Sequence, residues 1–400
     1  MARLPALIAR AQATLGWAAR LAGVASADIA SRATLARLPV TRKADLMALQ
    51  HNALPFGGLA STDVAHLRRI FMSPGPIFDP EARSQDWWRS AHALNALGLR
   101  RGDMIQNCFS YHFTPAAFMI EGGAEKIGCP VIPAGIGQTE MQVQAMVALK
   151  PAAYAGTPSF LKIIIEKAQA MNADISSLNK ALVSAEALPP SLRSWFHEHG
   201  VPHVLQFYGT ADIGTIAYET MTDGQCHPGM VLAEQLLLEI VRPGSGEPVV
   251  HGEVGEVVIT SFNPDYPLVR FATGDLSAVI AGDSPCGRTN TRLRGWMGRA
   301  DQSTKVRGQF VHPAHVAELR QRHPLILKAR LVISGVMADD AMQLQCEVAE
   351  VAGVAAAADQ AGAIAESIRA VTKLRGDVLF VAVGSLANDG LVIDDTRSYA

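Results

Sequence analysis

The chain has 400 residues, enough for two or three domains, and its 49% hydrophobic and 18% charged residues with a mean hydropathy of +0.15 are typical of a globular protein. The formal net charge of −2 argues against a nucleic-acid-binding protein, which would need a basic surface. The cysteines at 108, 129, 226, 286 and 346 are scattered, which argues against a disulfide framework and favours a reducing, cytoplasmic location. We also expect no signal peptide and no membrane-spanning helix.

The first 230 residues predict alternating helices and strands. Residues 1–50 are typical of helices, with one start near Thr41 and Asp45. The predicted helices that follow are 84–97, 114–127, 139–149, 157–170 and 190–199. The predicted strands between them are 104–109, 129–132, 154–156, 180–184 and 204–208. Strands that alternate with helices of this length indicate a parallel, doubly wound sheet.

The pattern changes after residue 230. Strands at 236–241, 256–261 and 268–271 are joined by turns, which predicts an antiparallel subdomain. After a boundary near residues 298–301, the tail predicts strands at 328–334, 342–348 and 378–383 and a helix at 359–374. The expected fold is therefore α/β: a large N-terminal doubly wound α/β body with an antiparallel subdomain, residues 1–300, plus a small C-terminal α+β cap domain, residues 301–400.

Short stretches of ligand-binding residue types follow the predicted strands. They read GCPVIPAGIGQTE (128–140), SAEALPP (184–190), QFYGTADIG (206–214), FATGDLSAV (271–279) and GWMGRADQSTKVRGQFVHP (295–313). Ligands of open α/β sheets bind at the carboxyl ends of the strands, so the side chains of Glu186, Tyr208, Thr210 and Asp212 are expected to converge. Each stretch also has a structural interpretation, such as a core aromatic for Tyr208 or an Asx-turn for Asp275.

These stretches, together with LPVTRKADL (39–47), occur in the order found in one family. The chain resembles the adenylate-forming superfamily, specifically phenylacetate–coenzyme A ligases and their relatives, over nearly its whole length. The resemblance implies ATP, magnesium and coenzyme A as cofactors. It also implies the reaction of a carboxylate with ATP to give an acyl-adenylate and pyrophosphate, from which coenzyme A then displaces AMP.

The resemblance implies roles residue by residue. Thr210 would contact the α-phosphate. Asp212, in place of the family's Glu, would be a magnesium ligand or a polar neighbour of the phosphate. Lys305 would lie on the cap face presented during thioester formation. Asp275 would bind the ribose, Tyr208 would stack on adenine, and Asp301 would be the hinge. The remaining residues implied to bind nucleotide or coenzyme A are Ser73, Gly75, Ala185, Glu186, Phe207, Gly209, Arg299 and Gly308. The residues implied to line the acyl pocket are Tyr111, His112, Phe113, Ala134, Gly135 and Gly137.

The stretch RIFMSPGPIFDPE, residues 69–81, departs from the family's phosphate loop. It keeps Ser73 and Gly75 but lacks the family's threonines and lysine, and its prolines remove backbone N–H donors. Asp79 and Glu81 are expected to add repulsion toward phosphate. A different ATP pose or another cation, such as Arg68 or Arg69, would have to compensate.

The tail and the cysteines depart from the family as well. The family's cap lysine is replaced in Gly390-Leu391, so adenylation is expected to be slow unless another group, with Arg397 as a candidate by position, replaces it. The resemblance makes Cys226, His227 and Cys286 three candidate zinc ligands, since some relatives carry Cys and His residues in these two regions. Because a closed zinc site needs four ligands, unligated residues are the favoured interpretation.

The sequence therefore predicts an AMP-forming acyl– or aryl–coenzyme A ligase that acts on a small carboxylic acid, an aromatic one being favoured. The alternative is a homologue that binds nucleotide, acyl-adenylate or acyl–coenzyme A without efficient adenylation. The expected partners are the acid, ATP or AMP, and coenzyme A, with no nucleic acid and no membrane. The oligomeric state stays open, a homodimer included.

Overall fold

The computed structural model describes residues 1–73, 76–336, 339–348, 354–387 and 391–397. The chain divides into two compact units, residues 1–297 and residues 298–400. Each unit has its own buried hydrophobic core. Within the described ranges, no helix is both long and apolar enough to cross a membrane.

Helices of the first unit flank its sheets. They are α1 (Leu4–Gln12), α2 (Leu15–Arg20), α3 (Arg32–Leu35), α4 (Lys43–Asn52), α5 (Ala91–Ala96), α6 (Ala116–Ile127), α7 (Thr139–Leu149), α8 (Pro158–Ala170) and α9 (Pro190–Glu198). Local signals account for several ends. The Thr157 side chain accepts a hydrogen bond from the Phe160 N–H at 3.3 Å, with Pro158 in the first turn of α8, and Gly128 closes α6 in a left-handed conformation.

Strands of the first unit form two main sheets. They are β1 (Thr41–Arg42), β2 (Arg69–Ser73), β3 (Ile77–Glu81), β4 (Ile105–Asn107), β5 (Val131–Pro133), β6 (Ala153–Gly156), β7 (Lys180–Val183), β8 (His203–Thr210), β9 (Gly214–Tyr218), β10 (Met221–Thr222), β11 (Gln225–Cys226), β12 (Met230–Leu232), β13 (Leu236–Val241), β14 (Gly255–Ser261), β15 (Leu268–Ser277), β16 (Val279–Ile280) and β17 (Arg292–Leu293). The larger sheet has the order β16-β17-β12-β9-β8-β7-β6-β4-β5, parallel from β5 to β8 and antiparallel beyond. The smaller sheet has the order β1-β15-β14-β13.

The smaller sheet brings the start of the chain beside the TGDL stretch. Strand β1 runs parallel to β15, with Thr41 opposite Phe271 and Arg42 opposite Ala272. Strands β13, β14 and β15 are antiparallel, as the turn spacing predicts. Because β1 and β15 are parallel, the residues that follow β1 lie near the carboxyl half of β15.

The second unit contains strands β18 (Thr304–Val306), β19 (Gln309–Val311), β20 (Lys328–Val336), β21 (Asp339–Glu347), β22 (Asp377–Val381) and β23 (Ile393–Asp395), with helices α10 (Pro313–Arg322) and α11 (Val354–Thr372). Its sheet has the order β22-β21-β20-β23. Strands β18 and β19 form a separate hairpin. This mixture of hairpins and packed helices is the α+β arrangement expected for the tail.

The predicted helix over 84–97 is wrong in its first half. The helix is only α5, because Asp86 and Arg89 have positive φ angles of 51° and 64°. The Asp86 carboxylate accepts hydrogen bonds from the N–H groups of Ser90 at 2.8 Å and Ala91 at 3.2 Å, which starts the helix there. Residues 84–90 instead bury Trp87 and Trp88 edge to face. Hydrophobic spacing alone does not reveal this turn.

Two other predicted boundaries shift. Helix α4 begins at Lys43 rather than at Thr41, which belongs to β1; the Asp45 carboxylate accepts a hydrogen bond from the Arg42 N–H at 2.9 Å. The strand predicted over 129–132 is β5, which begins at Val131 and is a half-exposed edge strand. An edge position explains its exposure, since only one side pairs with a neighbour.

Candidate active site

A tyrosine, an aspartate and a tryptophan join the two sheets of the first unit. The Tyr208 hydroxyl on β8 donates to Asp275 Oδ2 on β15 at 2.7 Å and also lies 3.1 Å from Thr273 Oγ1. Trp296 Nε1 donates to Asp275 Oδ1 at 3.1 Å. Both carboxylate oxygens of Asp275 are therefore oriented by aromatic donors, while the Trp296 ring stays 38% exposed.

Trp296 was not predicted as a site residue. Its signal in the sequence is its place in GWMGR, just before Arg299, where an exposed tryptophan after a glycine has no obvious core partner. The Asx-turn interpretation of Asp275 does not describe this geometry. Its side chain accepts from Tyr208 and Trp296, which are 67 and 21 residues away, and its own N–H donates to Thr273 Oγ1 at 3.1 Å.

The turn after β8 is tightly closed. A Cβ atom added to Gly209 would lie 2.7 Å from the Gly214 carbonyl oxygen, so this position needs glycine. The Thr210 Oγ1 accepts a hydrogen bond from the Ile213 N–H at 3.2 Å, which fixes the turn. The turn holds Thr210 half-exposed at the end of the strand and Asp212 buried beneath it.

The SAEAL stretch lies at the end of the neighbouring strand β7. Ala185 has a left-handed φ of 70°, and the Ser184 hydroxyl donates to the Phe207 carbonyl at 2.7 Å. The Glu186 carboxylate accepts from the Ser159 N–H at 3.2 Å, near the start of α8. The parallel strands β7 and β8 thus bring Ala185, Glu186, Phe207 and Tyr208 to one edge of the sheet.

One residue of the predicted nucleotide set presents only its backbone there. The Phe207 ring is buried and packs edge to face against Phe109, with ring centroids 6.1 Å apart. Alternating residues of a strand point to opposite faces, so the ring of Phe207 and that of Tyr208 cannot share one side.

A buried cluster of charged groups lies below the Asp212 turn. Lys43 Nζ is 3.0 Å from Asp212 Oδ2, and the two side chains are 36% and 1% exposed. Asp212 Oδ1 is a buried oxygen that has no hydrogen-bond partner among the described residues. Sequence reasoning missed Lys43 as a site residue, although it stands in the VTRKADL stretch.

The hairpin of β2 and β3 occupies residues 69–81, where the resemblance places a phosphate loop. Its strands pair from Arg69 with Glu81 to Ser73 with Ile77. The Ser73 hydroxyl donates to Asp79 Oδ2 at 3.2 Å, so this group is directed inward. Gly75, the other residue predicted to bind phosphate here, lies outside the described residues.

The expected repulsion from Asp79 and Glu81 is altered by their surroundings. Burial, and then the nearby Asp212 carboxylate, raise the pKa of Asp79 well above its ordinary value, which favours the neutral acid. Glu81 is paired with Arg69 through both carboxylate oxygens at 3.1 Å, although burial keeps the pKa of Glu81 raised. The two carboxyl groups therefore present less negative charge than the sequence suggests.

Part of the predicted acyl pocket surrounds one cavity. A cavity of about 380 Å³ is lined by Arg69, Ile70, Phe71, Tyr111, Phe113 and Phe118. It includes Tyr111 and Phe113 but not His112, Ala134, Gly135 or Gly137. The Tyr111 hydroxyl donates to Glu121 Oε1 at 2.9 Å, which fixes the ring at the wall.

The glycine-rich stretch after β5 is held in place by a glutamine side chain of α7. Gln142 Nε2 donates to the carbonyl oxygens of Gly135 and Gly137, both at 2.8 Å. The left-handed φ of Gly135 is 66°, and a Cβ there would lie 3.7 Å from the Tyr111 ring. Gly135 therefore borders Tyr111, whereas the side chain of His112 is exposed.

The second unit contains the remaining predicted residues. Arg299 is paired with Asp301 at 3.0 Å, and the Ser303 hydroxyl donates to Asp301 Oδ1 at 2.6 Å. Burial opposes ionisation of Asp301, but the hydrogen bonds from Arg299 and Ser303 outweigh it and lower its pKa. Lys305 lies on β18 with its Nζ 5.9 Å from the Phe310 ring, and Gly308 forms the turn to β19 with a φ of 83°.

The tail candidate Arg397 is strongly held within this unit. It pairs with Asp340 at 3.0 Å and with Asp395. Its guanidinium also donates to the Lys305 carbonyl at 2.9 Å. Leu391 is 41% exposed, while Gly390 lies outside the described residues. An arginine with two carboxylate partners is a poor replacement for a lysine that must reach a ligand.

The three candidate zinc ligands do not form a metal site. No group of three or more His, Cys, Asp or Glu side chains suited to a metal occurs in the described part of the chain. The His227 Nε2 is 2.9 Å from Thr222 Oγ1, and Cys226 is exposed. Burial opposes ionisation of Cys286, but hydrogen bonds from Ser284, Thr220 and Arg288 lower its pKa to about 6.

Comparisons with known proteins find similar enzymes. The family model described as AMP-binding enzyme matches residues 94–263. The phenylacetate-coenzyme A ligase of Aromatoleum evansii is 28% identical over 313 residues, 76% of this chain and 69% of the relative. That of Thermus thermophilus is 28% identical over 331 residues, 79% of this chain and 72% of the relative. That of Escherichia coli is 29% identical over 312 residues, 74% and 69% respectively.

Solved structures support the fold. A 2-hydroxyisobutyryl-CoA ligase, crystallised with 2-HIB-AMP and CoA, superimposes with a TM-score of 0.81 at 24% identity, over 99% of this chain and 89% of that chain. The amide bond synthetase McbA from Marinactinospora thermotolerans superimposes with a TM-score of 0.55 at 18% identity, over 81% and 66%. The predicted α/β fold class is confirmed.

Proposed function

We propose that this chain, which resembles phenylacetate–coenzyme A ligases and the AMP-binding enzymes, is an AMP-forming acyl– or aryl–coenzyme A ligase of the adenylate-forming superfamily. The observation that carries the proposal is the Tyr208–Asp275–Trp296 arrangement at the strand ends. It offers an oriented carboxylate beside aromatic rings, as recognition of a ribose and an adenine requires. The alternative of a homologue without efficient adenylation is not favoured by the relatives.

Two steps make up the proposed reaction. First, a carboxylate oxygen of the acid attacks the α-phosphorus of ATP; this P–O bond forms, the bond to the β-phosphate oxygen breaks, and pyrophosphate leaves. Then the sulfur of coenzyme A attacks the acyl carbon, the C–S bond forms, the thiol proton is lost, and AMP leaves with the electrons of the acyl C–O bond. Thr210 would contact the α-phosphate, where negative charge develops and oriented donors matter most.

Several of the predicted residues have a proposed role in this scheme. Asp275 would bind the ribose, Tyr208 would stack on adenine, and Ala185 and Glu186 would border it. Asp301 would be the hinge between the half-reactions, and Lys305 and Gly308 would serve thioester formation. Asp275 then orients the nucleotide without joining the chemistry.

Magnesium fits the donor set at Asp212. Its Oδ1 is a buried carboxylate oxygen without a hydrogen-bond partner among the described residues, the type of ligand that magnesium prefers. The ion would neutralise phosphate charge when bound. Its other oxygen is engaged by Lys43, so Asp212 would offer one ligand atom.

The substrate is proposed to be a small carboxylic acid, an aromatic one being favoured. The aromatic walls at Tyr111, Phe113 and Phe118 support a flat or short apolar body, because such pockets are lined mainly by apolar side chains. ATP and coenzyme A complete the substrates. The homodimer and the cytoplasmic location stay predictions.

Pyrophosphate release with ATP, magnesium and a panel of aryl and short-chain acids tests the function, with and without coenzyme A. We expect release that depends on a particular acid, and an acyl–coenzyme A product identified by mass when coenzyme A is present. Lys305→Ala should slow thioester formation from a preformed acyl-adenylate while leaving acid-dependent pyrophosphate release largely intact. Absence of acid-dependent release across the panel would overturn the ligase proposal.

A further inference from the structure

The hairpin that stands in place of a phosphate loop provides no cation for ATP in its described residues. The Ser73 hydroxyl is used by Asp79, as described above. Arg69 is engaged by both oxygens of Glu81 and lies 4.3 Å from the centroid of the Phe118 ring. Arg68 is paired with Glu125 at 3.7 Å. Both arginines suggested by the sequence therefore already have carboxylate partners, the buried Glu81 for Arg69 and the exposed Glu125 for Arg68.

Three independent features place Lys43 at the nucleotide side of the first unit. Lys43 directly follows β1, and β1 runs parallel to β15. Lys43 therefore lies toward the carboxyl end of β15, the end that carries Asp275. Its Nζ is 3.0 Å from Asp212, in the turn that carries Thr210. Lys43 is thus beside both halves of the proposed nucleotide site.

The third feature links Lys43 to the hairpin. Lys43 is the first residue of α4, and Gln50 of the same helix exchanges two hydrogen bonds of 2.8 Å with the backbone N–H and carbonyl of Phe78 on β3. The helix therefore clamps the hairpin next to Asp79, whose carboxyl group feels the Lys43 charge. This clamp holds the ammonium between the Asp212 turn and the hairpin.

We propose that Lys43 is the cation that grips the β- and γ-phosphates of ATP in this chain, in place of the lysine missing from residues 69–81. The inference rests on the proposed ligase function. In the structure the ammonium is paired with Asp212, and its side chain is 36% exposed, so it has access from outside while its partner is buried. A lysine ammonium has three donors on a flexible stem, which suits transfer of one contact to a phosphate oxygen while another is kept.

The proposal separates the two half-reactions. The β- and γ-phosphates are present only while ATP is bound and leave as pyrophosphate before coenzyme A reacts. Loss of Lys43 should therefore weaken the use of ATP while a preformed acyl-adenylate is still converted. A purely structural role would impair both steps to a similar degree.

The test compares Lys43→Met with wild type in separate assays of the half-reactions. We expect kcat/KM for ATP in acid-dependent pyrophosphate release to fall by roughly 10²- to 10³-fold, the usual effect of losing one charge-stabilising donor. Thioester formation from preformed acyl-adenylate and coenzyme A should stay within a few-fold of wild type. Lys43→Arg, which keeps the charge, should recover part of the ATP activity.

A matched control is Lys126→Met. Lys126 also pairs with a buried aspartate, Asp86, at 3.8 Å, and its side chain is 44% exposed. Any cost of leaving a buried carboxylate unpaired is shared by the two variants, whereas only Lys43→Met should lose ATP activity. If Lys43→Met does not fold, Lys43→Gln tests the same loss, because it removes the charge while its amide can still donate a hydrogen bond to the Asp212 carboxylate.

Binding by calorimetry distinguishes failure of this inference from failure of the proposed function. If the wild-type protein shows no acid-dependent pyrophosphate release, the ligase activity is overturned. Its affinity for ATP relative to AMP can still be compared with that of Lys43→Met. We expect that preference to be reduced in Lys43→Met, with AMP affinity largely kept. An unchanged ATP preference, or unchanged kcat/KM for ATP, would overturn the assignment of Lys43.

Discussion

Replacing Asp275 by asparagine should selectively remove recognition of the ribose. The asparagine side chain can keep both local contacts, since its Oδ1 can accept from Trp296 Nε1 and its amide can donate to the Tyr208 hydroxyl. The fold should therefore tolerate the change. What is lost is the charge on an acceptor that would receive two ribose hydroxyl groups.

The magnitude follows from the difference between charged and neutral hydrogen bonds. A bond to a charged group contributes about 1.5–3 kcal/mol and a neutral one about 0.5–1.5 kcal/mol. Two such bonds to the ribose make the expected loss in AMP affinity about 2 kcal/mol, or roughly 30-fold. Removal of one hydroxyl from the ligand should then cost roughly 2 kcal/mol with wild type but only roughly 1 kcal/mol with the variant.

Isothermal titration with AMP, 2′-deoxy-AMP and adenine measures these differences directly. Wild type should prefer AMP over the deoxy ligand strongly, and Asp275→Asn should prefer it weakly. Adenine, which has no ribose, is the internal control and should bind both proteins alike. If the variant keeps both the AMP affinity and the discrimination of wild type, Asp275 only braces Tyr208 and Trp296, and the ribose assignment is wrong.

Further predictions concern the turn, the core and the thiol. Gly209→Ala should abolish adenylation and lower the melting temperature, because the new Cβ would meet the Gly214 oxygen at 2.7 Å; wild-type activity would contradict the need for glycine. Arg270→Met should lower the free energy of unfolding, measured with urea, by about 3–5 kcal/mol. The reason is that the buried Glu239 carboxylate, 3.1 Å from Arg270, loses its partner. A loss below about 1 kcal/mol would show that the pair does not stabilise the fold. Burial raises the pKa of Cys286, but its hydrogen bonds outweigh burial and lower the pKa to about 6. The alkylation rate of Cys286 should therefore rise from pH 5 to pH 7 and then level off. A rate that continues to rise to pH 9 would refute the lowered pKa.

Local signals in the sequence predicted most of the first unit. Pro158 after Thr157, or Gly128 after an apolar helix, act through hydrogen bonds and φ angles of adjacent residues, so they can be read without knowing the fold. Helix α7 also begins and ends at the predicted residues, although Gln138 before it makes no side-chain capping hydrogen bond. The helix at 84–97 was overpredicted because the turn at Asp86 depends on side-chain contacts with residues that follow it.

The order of short stretches indicated the family and the expected chemistry. SAEAL and YGTAD end neighbouring parallel strands, whose carboxyl ends meet at one edge of the sheet, whereas TGDL lies within β15. The tertiary structure decided which groups face one another there. The Trp296 contact to Asp275 and the Lys43 contact to Asp212 join residues 21 and 169 positions apart. Spacing along the chain does not set such distances. They depend on how the two sheets and α4 pack, and packing also decides which carboxyl groups are buried and which cations already have partners.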